Sequence, residues 1–168
     1  MDTTAAEATG HDVPQILAVL AEAFTPFGVA FTPTALRLDE GTVRRELRHW
    51  LVARSGGAVV GCVLQYPEDQ RPGDGSYTFC FLATRPHLRG RGIGSALVEE
   101  VGERARRAGC RRVLVAVRRT LPENVGFFTR RGFRYLEPFG TGPHDLYQHD
   151  LCRPGRQQLE AEAKPWKP

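Results

Sequence analysis

The chain has 168 residues, 41% hydrophobic and 25% charged, with a formal net charge of +4. That length and mix fit one globular domain of ordinary size and exclude a wholly disordered chain, a collagen-like repeat and a coiled coil. No stretch approaches the roughly 20 apolar residues that span a bilayer. The opening MDTTAAEATGHDVP carries acids rather than a basic n-region, so a cytoplasmic location is expected rather than export.

In chain order, residues 1–10 read as a loose tail. Asp12, followed by Pro14 and Gln15, reads as an N-cap with proline in the first turn and Gln at the capping-box position. Ile16, Leu17, Leu20 and Phe24 come next at helical spacing, which predicts a helix over 13–24. Residues 25–33 hold two prolines and a glycine and read as a loop. A second helix is expected over 40–49, with Val43 and Leu47 inward. Segments 50–54 and 58–66, joined by Ser55-Gly56-Gly57, read as a hairpin. Residues 67–76 read as a polar turn and 77–84 as a long strand. A helix is predicted over 93–108, stopped by Gly109, and a buried strand over 113–117. A short helix over 123–131 ends at Gly132, and 133–136 and 145–151 read as the last strands. The whole is one α/β domain over 11–152, with a polar tail over 153–168.

Only Lys164 and Lys167 are lysines, which leaves 21 arginines. They spread from Arg37 to Arg156, with a local excess between Arg85 and Arg134, whereas a nucleic-acid binder gathers its charge on one face. Nucleic acid is therefore not expected as a partner, and a basic rim for a polyphosphate ligand explains the excess equally well. Cys62, Cys80, Cys110 and Cys152 are far apart, and with the five histidines they give no zinc-ligand spacing. No metal is expected. Reduced thiols are.

The most informative stretch runs Phe79-Cys80-Phe81-Leu82-Ala83-Thr84-Arg85-Pro86-His87-Leu88-Arg89-Gly90-Arg91-Gly92-Ile93-Gly94-Ser95. A strand ends, Pro86 breaks it, three alternate glycines succeed it, and a helix begins. Glycines 90, 92 and 94 leave backbone amides uncovered by side chains. At the positive end of a helix such amides suit a phosphate group. A plain glycine-rich turn is the bland alternative, made weaker by the strand-loop-helix context. A dinucleotide loop wants G-x-G-x-x-G or A, but the last position is Leu97 counted from Gly92 and Ser95 counted from Gly90. Arg118 and Arg119 end the next strand, leaving open only a phosphorylated-ribose form of that alternative. The GK[ST] of a Walker loop is missing.

The run Arg89-Gly90-Arg91-Gly92-Ile93-Gly94 resembles the R/Q-x-x-G-x-G/A pyrophosphate loop of the GNAT superfamily of acetyl-CoA-dependent N-acetyltransferases. Leu82-Ala83-Thr84-Arg85-Pro86 is similar to that family's strand-four ending. Pro122-Glu123-Asn124-Val125-Gly126-Phe127-Phe128-Thr129-Arg130-Arg131-Gly132-Phe133 resembles its second signature, an Asn-led short helix closed by Gly-Phe. The resemblance implies a mixed, mostly antiparallel sheet of six to seven strands. Helices would cover both faces, and the central strands would splay at the acetyl-CoA site. It further implies that Leu82, Ala83 and Thr84 pair with the pantetheine arm. Main-chain groups of Arg89, Gly90, Arg91, Gly92, Ile93, Gly94 and Ser95 would hold the diphosphate. Asn124, Phe127 and Phe128 would stand along the pantetheine and thiol end. The backbone N–H of Leu82, or of its neighbour, would meet the oxyanion formed during attack on the thioester, a donor worth roughly 3–4 kcal/mol.

The expected acceptor is a primary amine of a small molecule or peptide, with the monomer and a homodimer both open. Two positions depart from the family pattern. Thr78 stands where many relatives carry a base Glu, and Phe128 where they carry an acid Tyr. These losses keep a second reading in view, a non-catalytic acyl-CoA-binding or sensing module. Substitute proton carriers are His87, Glu68, Asp69, Glu46, His49 and Tyr147, with Tyr147 preferred as donor. Phe24 and Trp50 read as core, and Phe27 and Phe31 as lining for an acceptor pocket.

Overall fold

Seven strands form one sheet in a computed structural model that describes residues 4–29, 33–67 and 75–151. These are β1 (Thr4–Glu7), β2 (Trp50–Ser55), β3 (Ala58–Pro67), β4 (Ser76–Thr84), β5 (Arg112–Arg118), β6 (Arg134–Phe139) and β7 (His144–Asp150). Their order is β1-β2-β3-β4-β5-β7-β6. Every neighbouring pair is antiparallel except β4 and β5, which run parallel. That parallel step requires a crossover, supplied by helix α3 (Ile93–Arg107).

Helices α1 (Val13–Phe24) and α2 (Glu40–Arg45) lie on one face of the sheet, and α3 and α4 (Pro122–Thr129) on the other. α1 buries Val13, Ile16, Val19, Leu20 and Ala23 against Trp50, Val52, Cys62 and Leu64. α3 buries Ile93, Leu97, Val98, Val101 and Ala105 against Leu51, Val63, Phe79 and Val115. The burial keeps to helical spacing in both cases, so each stripe meets one side of the pleated sheet. Gly109 ends α3 at φ +74°, with Cys110 N–H returning to the Ala105 carbonyl at 2.9 Å, the helix stop expected of glycine. No helix among the described residues is long and apolar enough to cross a membrane.

Several expectations need correction. The supposed loose start contains β1, paired with β2 from Thr4↔Arg54 to Glu7↔Leu51. Four residues are too few to carry a pattern, and the ladder is set by β2, with Glu7 bridged to Arg104 at 2.8 Å. Asp12 stands at the N-cap position of α1, as expected, but its side chain makes no capping hydrogen bond there. It ends a 3₁₀ turn (Gly10–Asp12), and its carboxylate accepts from Thr9 N–H at 2.6 Å and from Arg54 at 2.5 Å. Gln15 does not complete a capping box with Asp12. Its Oε1 accepts from Val59 N–H at 2.9 Å. The helix expected over 40–49 is α2 and then a 3₁₀ turn (Leu47–His49), broken at Glu46. The predicted tail over 153–168, Phe31, Glu68, Asp69 and Cys152 lie outside the described residues.

Candidate active site

The parallel pairing of β4 with β5 lasts only from Ser76↔Arg112 to Phe79↔Val115. From Cys80 to Thr84, β4 has no β5 partner, so one main-chain edge opens inside the sheet. On its other side, β4 carries a bulge: Cys62 faces Ala83 and Leu64 faces Cys80, leaving Phe81 and Leu82 opposite Val63. Phe81 adopts φ +52°, a left-handed setting that costs a non-glycine residue roughly 1–2 kcal/mol. A bulge bends its strand and turns the next residues to a new direction. Trp50 stacks on the Phe81 ring at 6.4 Å between centroids and 13° between planes, which holds the unusual backbone in place.

A groove of about 750 Å³ begins at this opening and runs to the start of α3. Leu82, Ala83 and Thr84 form one wall, and Arg89, Gly90, Gly92, Ile93, Gly94 and Ser95 form its end. Asn124, Phe127 and Phe128 close the far side. Nearly the whole set read from the motifs is therefore brought together. Arg91 is exposed and does not line the groove. Gly90 and Gly92 have φ +78° and +82°, and a Cβ at either would meet no atom within 4 Å. Their main chain is bare toward solvent. The first-turn amides of α3 beyond them have no helical acceptor, a donor set that fits a diphosphate.

Phe127 braces this cradle. A Cβ at Gly94 would come 3.4 Å from its ring, so α4 and the start of α3 meet in ordinary contact. The Arg131 guanidinium lies 3.6 Å above the Phe127 ring centroid. It donates to the Phe127 carbonyl at 2.7 Å and to the Ser95 hydroxyl. Arg131, Arg130 and Glu123 line the groove and escape the motif reading as site residues, because an arginine pair at a helix end reads as solvated surface. Burial depresses the Arg131 pKa, with Arg130 adding to the effect.

Phe24, expected in the core, packs against the α1/α2-side cluster and also lines the groove, beside Phe27 at 6.4 Å between centroids. Trp50 is core, 1% exposed. Phe128 is buried and packs edge-on to Phe127 and Phe133 at 5.0 and 5.5 Å. Tyr147 is not brought to the groove wall. It pairs with Val115 and Tyr135 in the sheet, and its ring packs in the α3/α4-side core. His87 is exposed in a turn before the glycine loop. Glu46 accepts from the Tyr66 hydroxyl, and the His49 ring lies 5.0 Å from that of Tyr66. Cys62 and Cys110 are buried thiols and Cys80 a half-buried one. Among the described residues no His/Cys/Asp/Glu group is arranged for a metal.

A parallel pair that parts after four residues, with a glycine-rich helix start at the opening, forms a groove suited to an extended ligand that carries a phosphate group. The chain belongs to the acetyltransferase (GNAT) family, whose model matches residues 15–133. It is 33% identical over 110 residues to an IAA acetyltransferase of Azospirillum brasilense, covering 65% of this chain and 70% of that one. It is 29% identical over 100 residues to an amino-acid acetyltransferase of Pseudomonas aeruginosa, covering 59% of this chain and 21% of that one. The chain thus spans about a fifth of that longer relative. PaiA N-acetyltransferase from Thermoplasma acidophilum, solved with coenzyme A, superposes with a TM-score of 0.77 at 13% identity, over 89% of this chain and 99% of that one. N-acetylglutamate synthase from Neisseria gonorrhoeae, solved with coenzyme A and N-acetyl-glutamate, gives 0.72 at 17%, over 91% and 36%. At these identities the structural likeness is one of fold. The protein is an acyltransferase of the GNAT family, with acetyl-CoA as co-substrate.

Proposed function

We propose that this enzyme is an N-acetyltransferase that carries the acetyl group of acetyl-CoA to a primary amine of a small molecule or peptide. The observation that supports this reading is the open β4 edge, continuous with the bare glycine loop in one groove. In it, the amides of residues 89–95 hold the diphosphate, and the edge at 82–84 pairs with the pantetheine amides. Asn124 and Phe127 flank that arm. The Leu82 N–H, raised on the bulge, stabilises negative charge on the thioester oxygen as the amine attacks. Holding the two reactants in one groove removes several more kcal/mol of the barrier. The C–N bond forms and the C–S bond breaks. Phe128 has no proton to give, so the sulfur departs as thiolate and takes its proton from solvent.

Relatives named amino-acid acetyltransferase, and a neighbour solved with N-acetyl-glutamate, support an amine-bearing small molecule as acceptor. The cytoplasm is the proposed setting. The test is purified protein with acetyl-CoA and a panel of amino acids, polyamines, aminoglycosides, arylalkyl amines and peptides, monitored by release of free thiol. Thiol release that depends on one amine class is expected. Silence across the panel overturns the reading.

A further inference from the structure

We propose that Glu46, acting through Tyr66, takes the proton from the acceptor's ammonium, so that the acceptor class is a primary amine that arrives as a cation. The inference rests on the N-acetyltransferase reading. It begins with a requirement of the chemistry: an ammonium has no lone pair, and a proton must leave before nitrogen can attack carbon. A carboxylate, or a hydrogen-bonded relay to one, on the acceptor side of the opening takes that proton faster than bulk water does.

The strand register selects the place. Thr78 is the last residue but one of β4 that pairs with β5, two residues before the edge opens at Cys80. Its hydroxyl is buried, in a residue 3% exposed, and has no hydrogen-bond partner among the described residues. Buried hydroxyls left in that state point to a water or a ligand group. Directly across, on β3, is Tyr66, and residues directly opposite in a ladder share one face at about 5 Å. Tyr66 packs on the α1/α2 side together with Cys80 and Phe81, away from the α3/α4-side core. Its hydroxyl donates to Glu46 Oε2.

Among the described residues, competing carboxylates are committed elsewhere. Glu22 is bridged to Arg85, Asp145 to Arg119 and Asp12 to Arg54, and a guanidinium partner makes a carboxylate a poor proton acceptor. Glu123 is exposed at the start of α4, on the opposite wall. The partner of Glu46 is a neutral phenol. Around it stand the His49 ring, 5.0 Å from Tyr66, and Arg48, whose Nε donates to His49 Nε2 at 3.0 Å. Glu46 also sits where α2 breaks, four residues before Trp50, whose ring stacks on Phe81 beside Leu82. One short segment thus reaches both the carboxylate and the bulge. In the step, the ammonium proton passes by way of water and the Thr78 and Tyr66 hydroxyls to the Glu46 carboxylate. The freed lone pair forms the C–N bond as the C–S bond breaks. The nitrogen gives its second proton to solvent as the amide forms, and the thiolate takes one up from solvent. Glu46 later releases the proton it accepted.

The experiment compares wild type with Glu46→Gln, Glu46→Asp and Tyr66→Phe, using the best ammonium acceptor from the panel. Glu46→Gln should lower kcat/KM at pH 7 by about 100-fold, the lower end for general-base loss, and leave acetyl-CoA affinity by calorimetry within about twofold. The deficit should shrink as pH is raised toward that of the amine's own deprotonation, and Glu46→Asp should restore part of the rate. If Glu46→Gln does not fold, Tyr66→Phe carries the test, with a loss of about tenfold that fades in the same way. A Glu46→Gln rate near wild type overturns the inference alone, as does a deficit constant across pH, which marks a structural role. A panel in which wild type acetylates nothing overturns it together with the reading beneath it.

Discussion

Gly61 on β3 lies so close to Ile93, the first residue of α3, that a Cβ there would stand 2.9 Å from Ile93 Cγ2. The same methyl would meet the Ala83 carbonyl oxygen at 3.0 Å and Leu97 Cδ1 at 3.1 Å. The absent side chain lets the helix settle on the sheet directly beneath the glycine loop. A backbone carbonyl cannot step aside as a side-chain tip can. Gly61→Ala should therefore cost about 1–3 kcal/mol through overpacking, read by denaturant unfolding. A variant as stable as the parent would mean that α3 sits farther from β3.

Gly92→Glu should lower acetyl-CoA affinity at least tenfold, which corresponds to about 1.4 kcal/mol. The new side chain brings negative charge to the diphosphate cradle. Because Gly92 sits at φ +82°, any side chain strains the backbone, so Gly92→Ala is the companion that separates strain from charge. Calorimetric titration of both variants checks this. Equal losses in the two would assign the effect to strain.

Asp12 links stability to pH. Burial alone pushes its carboxyl up, but hydrogen bonds from Arg54 and Thr9 outweigh that and hold it below the ordinary value of 3.8. A carboxyl depressed in the folded state lends stability that is fully present above about pH 4 and is lost as pH falls through the folded value. Asp12→Asn should cost about 1.5–3 kcal/mol at pH 7, the range for hydrogen bonds to charged groups. The gap from wild type should close below pH 4. Urea unfolding at pH 7, 5 and 3 gives the comparison, and a gap independent of pH would refute the assignment.

Phe128 holds an aromatic cluster together, with Phe127, Phe133 and Phe79 at 5.0, 5.5 and 5.9 Å between centroids. Phe128→Ala should cost about 3–5 kcal/mol, as expected for a large core ring. Thermal unfolding of variant and parent measures it. A loss under about 1 kcal/mol would show that the neighbours close the gap.

The helices and central strands are legible in the sequence because their signals are local. Ile93 to Ala105 repeat at helical spacing, and 113–117 is an unbroken β-branched run. The glycine loop is legible for a different reason: three glycines between a strand and a helix restrict what the segment can do. The features that escape depend on partners distant in sequence. β1 exists through its ladder to β2, and Asp12 serves Arg54, 42 residues away, rather than its own helix. The bulge at Phe81 leaves no mark, since no glycine announces it. Tyr147 looks like a proton donor from its residue type alone, and only the packing of its ring against Tyr135 removes it from the groove. The pairing of Glu46 with Tyr66 joins a helix end to a strand 20 residues on, a distance over which pattern carries no information.

The parting of β4 from β5 leaves the sheet held across its middle by only four residue pairs. Amides from Cys80 to Thr84 on that side should exchange with solvent deuterium without waiting for the domain to unfold. If the pantetheine arm pairs there as proposed, those amides should gain protection when acetyl-CoA is added. On that reading the coenzyme completes the hydrogen bonding of a sheet that the chain leaves unfinished.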